Sequence, residues 1–108
     1  MKSSLKPATK SEKRRIVIIK SEVGCIACYQ NGNIGTWADA HHIISEKTGR
    51  RISHSHTIPL CSAHHTGPYG IHKRKKWFAD TYGSDKYLLG YTNDMVAQFE
   101  ASVVGRLA

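Results

Sequence analysis

Apolar positions along the chain fall into short periodic stretches separated by polar, glycine- and proline-marked breaks. Residues 1–10 (Met-Lys-Ser-Ser-Leu-Lys-Pro-Ala-Thr-Lys) carry no period and read as a mobile tail. Ser11-Glu12-Lys13-Arg14-Arg15 has the form of a helix start, with Ser11 as N-cap and Glu12 in the first turn. The β-branched run Ile16-Val17-Ile18-Ile19 would suit a strand equally well, and we read a short helix over 12–22, ended by Gly24. Cys25 to Cys28 forms a tight turn, and Asn31-Gly32-Asn33-Ile34-Gly35 a loop. Thr36 to Ile44 reads as a strand, Glu46-Lys47-Thr48-Gly49-Arg50 as a turn, and Ile52 to Ile58 as a second strand. Pro59 lacks the N–H that a ladder needs and suits the start of a helix; a helical turn from about Cys61 carries His64 and His65. Thr66-Gly67-Pro68-Tyr69-Gly70 interrupts it. A helix over about 71–82 then sets Ile71, Lys75, Phe78 and Tyr82 along one stripe, with Gly83 at its end. Ser84 caps a short helix through Leu89, and Thr92 or Asn93 caps a last one through about Val103. Strands followed by helices, with no internal repeat, predict an α+β chain: one small domain over 11–108 behind the tail.

Length and composition sharpen this picture. A chain of 108 residues, 40% hydrophobic, buries only a modest core, so a metal staple would help it fold. No stretch approaches the ~20 apolar residues of a membrane span, and the basic N-terminus lacks the apolar segment of a secretory signal. No membrane partner is expected. Three cysteines cannot all pair. Two of them are spaced Cys-x2-Cys with histidines nearby, which favours metal over disulfide and a reducing cytoplasm. The balance of 16 Lys and Arg against 8 Asp and Glu gives a net charge of +8 and favours a polyanionic partner. Residues 1–20 hold Lys2, Lys6, Lys10, Lys13, Arg14, Arg15 and Lys20 against Glu12 alone. Such an arm either binds phosphates or merely solubilises the chain.

Structural zinc takes four tetrahedral thiolate or imidazole ligands, commonly as two short-spaced pairs. Cys25 and Cys28 supply one pair, Cys61 and His64 the other, and every cysteine is used. The alternative is a redox pair at Cys25 and Cys28, with Cys61 simply buried; it lacks the βαβ pattern of a thioredoxin-like fold. One pair precedes the first strand and the other opens the helix after the second. The ion would therefore clamp a β-hairpin to a helix, its binding energy acting as folding energy. All seven histidines lie between residues 41 and 72. With His64 given to zinc, His41, His42, His65 and His72 remain, joined by His54 and His56 on the second strand. Neighbours on a regular strand point to opposite faces, so His41 and His42 share one site only if the strand ends or bends there.

A His-His pair ending a strand, then a second strand, then Leu60-Cys61-Ser62-Ala63-His64 followed at once by His65, resembles the HNH, or ββα-metal, nucleases. The zinc-braced branch of that superfamily carries a Cys-x2-Cys ahead of the first strand. The stretch Ala40-His41-His42-Ile43, continued through Arg51-Ile52-Ser53-His54-Ser55-His56-Thr57-Ile58-Pro59 to His65, is similar to the phage RecA-dependent nucleases of the recombination-enhancement family. So are the Tyr-Gly-x-His segment and the aromatic helix after it. The resemblance covers roughly residues 20–100. It implies a small zinc-braced ββα-metal core with flanking helices. It also implies roles: His42 as the general base, His41 as first ligand of a catalytic metal where many relatives have Asp, and His65 as the next ligand. His72 is a further ligand, aligned across the 66–70 insertion. The central Asn of HNH is absent by type. Counting back from Leu60-Cys61 puts His56 in its place as a catalytic residue, with His54 as rival.

That assignment is chemically coherent. Phosphodiester hydrolysis needs a base that titrates near neutrality, as an unperturbed histidine does at about 6.5. It also needs positive charge on the phosphate and leaving oxygens, which one divalent cation supplies. The expected cofactors are a structural Zn2+ and one catalytic Mg2+, Mn2+ or Zn2+, three imidazoles favouring Zn, Ni, Co or Mn over Mg. Lys47, Arg50 and Arg51 sit at the hairpin turn, and Lys73, Arg74, Lys75 and Lys76 follow His72. Both runs flank the histidines, which favours DNA phosphate contact over a solvated face. Tyr69 and Trp77 suit either stacking on unpaired bases or core packing. The leading function is a metal-dependent DNA endonuclease. The resemblance implies action on DNA in a RecA filament or displacement loop during phage recombination, in the cytoplasm of a bacterial host. The alternatives are a non-catalytic zinc module that binds nucleic acid, which would not need His41, His42 or His65, and a recombinase accessory factor with vestigial catalysis.

Overall fold

The computed structural model of the chain describes residues 6–107, with side chains through residue 103. Half of the expected tail, residues 1–5 with Lys2, lies outside the described residues. Thr9 caps the first helix in place of Ser11. Its hydroxyl accepts from the Glu12 N–H at 3.1 Å while the Glu12 carboxylate accepts from the Thr9 N–H at 3.0 Å, so two orphan donors are met by one exchange. Ser11 has Arg14 three residues on and cannot make it. Helix α1 (Lys10–Ile18) continues through a π turn, Ile19–Val23, up to Gly24. This wider turn brings Ile18, Ile19 and Val23 together into the interior, against Val96. Gly24 has φ +75°, and a Cβ there would stand 2.8 Å from the Thr36 carbonyl oxygen that accepts the Cys25 N–H, so only glycine fits. Cys25 to Cys28, expected as a turn, instead opens helix α2 (Ile26–Gln30), where the Cys25 sulfur accepts from the Cys28 N–H as an N-cap.

Strands β1 (Asp39–His42) and β2 (Thr57–Leu60) pair antiparallel, with Asp39 opposite Leu60 and His42 opposite Thr57. Both are shorter than expected. Past His42 the pairing thins to the Ile43 N–H on the His56 carbonyl at 2.9 Å and an Ile44–Arg51 bridge. Ile52 still donates its N–H to the Ile43 carbonyl at 3.1 Å, and residues 53–55 leave the ladder because Ser53 turns back on its own neighbours. Its hydroxyl lies 2.8 Å from that of Ser55 and 2.7 Å from His56 Nδ1, and its carbonyl accepts the His56 N–H. Pro59, expected to start a helix, sits inside β2. Bonded pairs alternate along an antiparallel ladder, so the Ile43–His56 bond makes His41/Ile58 and Asp39/Leu60 the bonded pairs. The Pro59 nitrogen then faces the open side of a two-stranded sheet, where no N–H is needed.

Helices α3 (Ser62–His65), α4 (Lys75–Tyr82) and α5 (Asp85–Leu107) follow. The α4 helix starts at Lys75, later than expected, because residues 71–74 form turns anchored on α3. The Ile71 N–H reaches the His64 carbonyl, and the His72 N–H that of His65. Gly70 permits this approach, since a Cβ would meet the His65 carbonyl at 2.8 Å. Of the expected stripe, Ile71, Phe78 and Tyr82 are buried and Lys75 is exposed. The two short C-terminal helices are one. Thr92 is buried inside α5, and Asn93 accepts from Arg15 instead of capping. Ile26, Ile58, Leu60, Phe78 and Leu88 form the core between the sheet and α2, α4 and α5. Arg15 fastens α1 to it, its guanidinium donating to the Thr57 hydroxyl at 3.2 Å, the Thr57 carbonyl at 2.8 Å and Asn93 at 2.8 Å. Arg14 pairs with Glu100 at 3.4 Å. These two members of the basic N-terminal run thus serve the fold. Among the described residues no helix is long and apolar enough to cross a membrane.

Candidate metal centres

The thiol-rich group is assembled from two segments, 25–28 and 61–64, that the fold brings together. Cys25 and Cys28 bracket the first turn of α2, while Cys61 caps α3 and His64 lies within it. An ion there would join α2 to the β2–α3 junction. The four donor atoms lie within 4.8 Å of one another. Cys28 Sγ is 3.7 Å from Cys61 Sγ, and His64 Nδ1 is 3.5, 3.5 and 3.2 Å from the sulfurs of Cys25, Cys28 and Cys61. Tetrahedral donors on one zinc stand ~3.8 Å apart sulfur to sulfur and ~3.5 Å sulfur to nitrogen, from the usual bond lengths. The set therefore fits a structural zinc. Burial pushes the Cys25 thiol up to about 12 and raises Cys28 as well. At Cys61 burial also acts upward, but hydrogen bonds from the His64 N–H, the Cys28 and Cys25 thiols and the Ala63 N–H outweigh it and lower the thiol. Buried thiols packed this closely are stable as thiolates only around a cation. Burial lowers His64, which keeps Nδ1 free to coordinate. With Nδ1 on an ion, Nε2 would carry the proton and donate to the Tyr82 hydroxyl 3.3 Å away, which also accepts from Asn31 at 3.0 Å, so Tyr82 would hold the ring in place. The apolar stripe alone assigns Tyr82 to the core; the need of a buried tyrosine hydroxyl for a partner is the signal that leads further.

The second group is His41, His65 and His72, from β1, the end of α3 and the turn before α4, with ring nitrogens again within 4.8 Å. His65 Nε2 and His72 Nε2 are 3.0 Å apart. That is close to the ~3.0 Å between two nitrogens set at right angles around one ion at about 2.1 Å. The His41 ring lies 5.1 Å from that of His65 and 5.0 Å from that of His72. Burial first, then the charges of His65, His72, His42 and Lys75, push His41 down to about 4. Burial and His72 lower His65, with Asp39 opposing. Both effects favour neutral imidazole, the form that binds a metal.

His42 is not part of that trio. Because β1 is regular, His42 points away from His41, and the bend that would join them on one face is missing. Its Nε2 lies 3.0 Å from His54 Nδ1, and His54 Nε2 lies 2.8 Å from the Lys6 carbonyl oxygen. A carbonyl only accepts, so His54 Nε2 carries a proton. In neutral His54 the Nδ1 then accepts, His42 Nε2 donates, and the His42 lone pair falls on Nδ1. Burial, then Arg51 and His54, lower the His42 pKa. His56 Nδ1 is engaged by the Ser53 hydroxyl instead, so His54 rather than His56 stands against His42.

Lys47, Arg50 and Arg51 are exposed on the turn after β1, and the charge of Arg51 reaches His42. Lys73, Arg74, Lys75 and Lys76 are exposed after His72, and the charge of Lys75 reaches His41. Lys76 is held by Asp80 at 3.0 Å, and Arg74 lies 4.8 Å over the Tyr69 ring. Residues 8–97 match the family described as "Recombination enhancement, RecA-dependent nuclease". The match takes in both donor groups, His42 and His54, and every element from α1 into α5. This chain belongs to the recombination-enhancement, RecA-dependent nuclease family.

Proposed function

We propose that the protein is a metal-dependent DNA endonuclease of the HNH type, acting on RecA-bound or displacement-loop DNA during phage recombination in a bacterial host cell. The observation that carries this reading is the convergence of His41, His65 and His72; His42, the next residue of β1, leaves the strand on the other face, where His54 orients it, and its charge still reaches His41. His41, His65 and His72 would hold the catalytic cation, a donor set suited to Zn, Mn, Ni or Co over Mg. When bound, the cation supplies positive charge at the phosphate and leaving oxygens. His42 accepts the proton of the attacking water at Nδ1. The imidazolium so formed strengthens its Nε2–H bond to His54, because the donor is then charged. His54 takes the positioning role that the resemblance gave to His56. Cys25, Cys28, Cys61 and His64 hold a structural zinc, which fixes the α3 turn and with it His65, the residue directly after His64. Lys47, Arg50, Arg51 and the run from Lys73 to Lys76 contact the phosphates on either side.

Nicking of supercoiled plasmid with Mg2+, Mn2+ or Zn2+, with and without RecA and single-stranded DNA, tests this reading. Nicked circles that need added metal, and form fastest with RecA, are expected. A protein that binds DNA yet cuts under none of these conditions would instead be a non-catalytic zinc module.

A further inference from the structure

The turn that brings His72 to the histidine trio also carries Tyr69, and the helix that it leads into carries Trp77. Their rings lie 5.3 Å apart, tilted by 59°. Tyr69 is 55% exposed and Trp77 41%. Trp77 rests on Tyr82 edge to face at 6.2 Å, which anchors one side of the indole while much of it remains in water. Arg74 lays its guanidinium 4.8 Å over the Tyr69 ring. Two large aromatic rings and a guanidinium plane are thus gathered on one surface, where they gain little from burial.

The charge of this surface says what it fits. From 66 to 82 the chain carries Lys73, Arg74, Lys75 and Lys76 against one acid, Asp80, and Asp80 is already held by Lys76. An apolar peptide would have no use for the cations, and a bare phosphate none for the rings. A nucleotide uses both, stacking its base on the π faces and setting its phosphate among the ammonium and guanidinium groups. Bases inside a duplex have their faces covered by neighbours, so the ligand must be unpaired. Tyr69 is three residues from His72, at most about 11 Å of chain, and stacked nucleotides advance about 3.4 Å each. The platform therefore lies within about three nucleotides of the trio.

We propose that Tyr69, Trp77 and Arg74 form a stacking platform for an unpaired base of single-stranded or displaced DNA, adjoining the histidine centre. The placement next to a scissile phosphate rests on the nuclease reading; the binding itself does not. The test uses the full chain with His42→Ala as parent, so that no strand is cut, and measures anisotropy of a labelled oligothymidine and of a duplex of equal length. Tyr69→Leu and Trp77→Leu keep apolar bulk but remove the π faces. Each should weaken the single strand about 10-fold or more, the usual effect of losing one stacked base, and leave the duplex within about 2-fold. Trp77→Phe should restore most of the loss. The chain has two tryptophans, so in a Trp37→Phe background the remaining indole reports on the site directly and should be quenched by oligothymidine. Tyr69→Leu and the quenching keep the test open if Trp77→Leu fails to fold. Unchanged single-strand affinity in Tyr69→Leu, equal losses for single strand and duplex, or no quenching would overturn the proposal. So would loss of RecA-filament association with oligothymidine affinity intact, which would assign the surface to a protein. Parallel nicking by the chain with His42 and the platform both intact separates the two ideas. Cutting without oligothymidine discrimination sinks the platform alone, and discrimination without cutting sinks the nuclease alone.

Discussion

His54 and His56 are separated by one serine, yet only His54 meets His42. The consequence can be measured. His54→Ala removes the acceptor that holds the His42 ring, and turnover should fall by about 10- to 100-fold, as for other partners that orient a working histidine. His54→Asn offers an amide oxygen to the same Nε2–H and should recover part of the rate, while His56→Ala should lie near wild type. Equal losses for His54→Ala and His56→Ala in kcat would remove the positioning role. The pH profile belongs to the same scale. His42 acts in its neutral form, and its pKa lies below the ordinary 6.5 because burial, Arg51 and His54 all disfavour the imidazolium. Activity should hold at neutral pH and decline only as pH falls through a limb below about 6.5; a limb at 7 or above would contradict the environment described. The resemblance implied His41, His65 and His72 as ligands, and the fold brings their ring nitrogens within 4.8 Å of one another. The His42–His54 contact was not legible, because counting back along a strand assumes that residues 53–55 stay in the ladder, and the Ser53 hydrogen bonds take them out of it.

Elements meet at the thiol group, where α2, the end of β2 and α3 would share one ion. Cys61→Ala should unfold or strongly destabilise the chain, since structural zinc binding contributes roughly 10–16 kcal/mol in peptides. Tyr82→Phe keeps the ring in the core and removes only the hydroxyl facing His64 Nε2. Zinc affinity, read by competition with a chelator, should drop about 10-fold or more; an unchanged affinity would make Tyr82 a packing residue alone. The N-terminal segment has two separable uses. Deleting residues 1–7 takes away the Lys6 carbonyl but leaves the Thr9 cap, so turnover should fall with the thermal transition in place. Extending the deletion through residue 10 removes the capping box and should cost about 1 kcal/mol of stability as well. Deletions that leave turnover unchanged would show that the Lys6 contact does not hold His54. The Gly24 stop and the Gly83 end were legible because each has a local cause, whereas Cys25 to Cys28 opens a helix where a turn was expected. The single long α5 and the proline inside β2 were not legible. Thr92 and Asn93 look like caps until tertiary packing claims them, and Pro59 is excluded from a strand only if its nitrogen must face a neighbour.

Across the whole molecule the net charge of +8 divides into structural and free portions. Arg14, Arg15 and Lys76 are engaged by Glu100, by Thr57 with Asn93, and by Asp80, whereas Lys73, Arg74 and Lys75 follow His72, the charge of Lys75 reaching His41, with no carboxylate within ion-pair distance among the described residues. Replacing Lys73, Arg74, Lys75 and Lys76 together by Gln should flatten the log–log salt dependence of DNA binding by about three contacts, at roughly 0.9 each, with Lys76 adding little. An unchanged slope would return the run to a solvated face. What the molecule as a whole is built to do is tested most directly by the nicking rate of His42→Ala against metal concentration, with RecA filaments present and His41→Ala and His65→Ala alongside. His42→Ala should retain its zinc, its thermal transition and most of its DNA affinity, yet turn over at least ~10²-fold more slowly at every metal concentration. The two ligand variants should regain activity as metal rises. His42→Ala cutting at the wild-type rate would contradict the account.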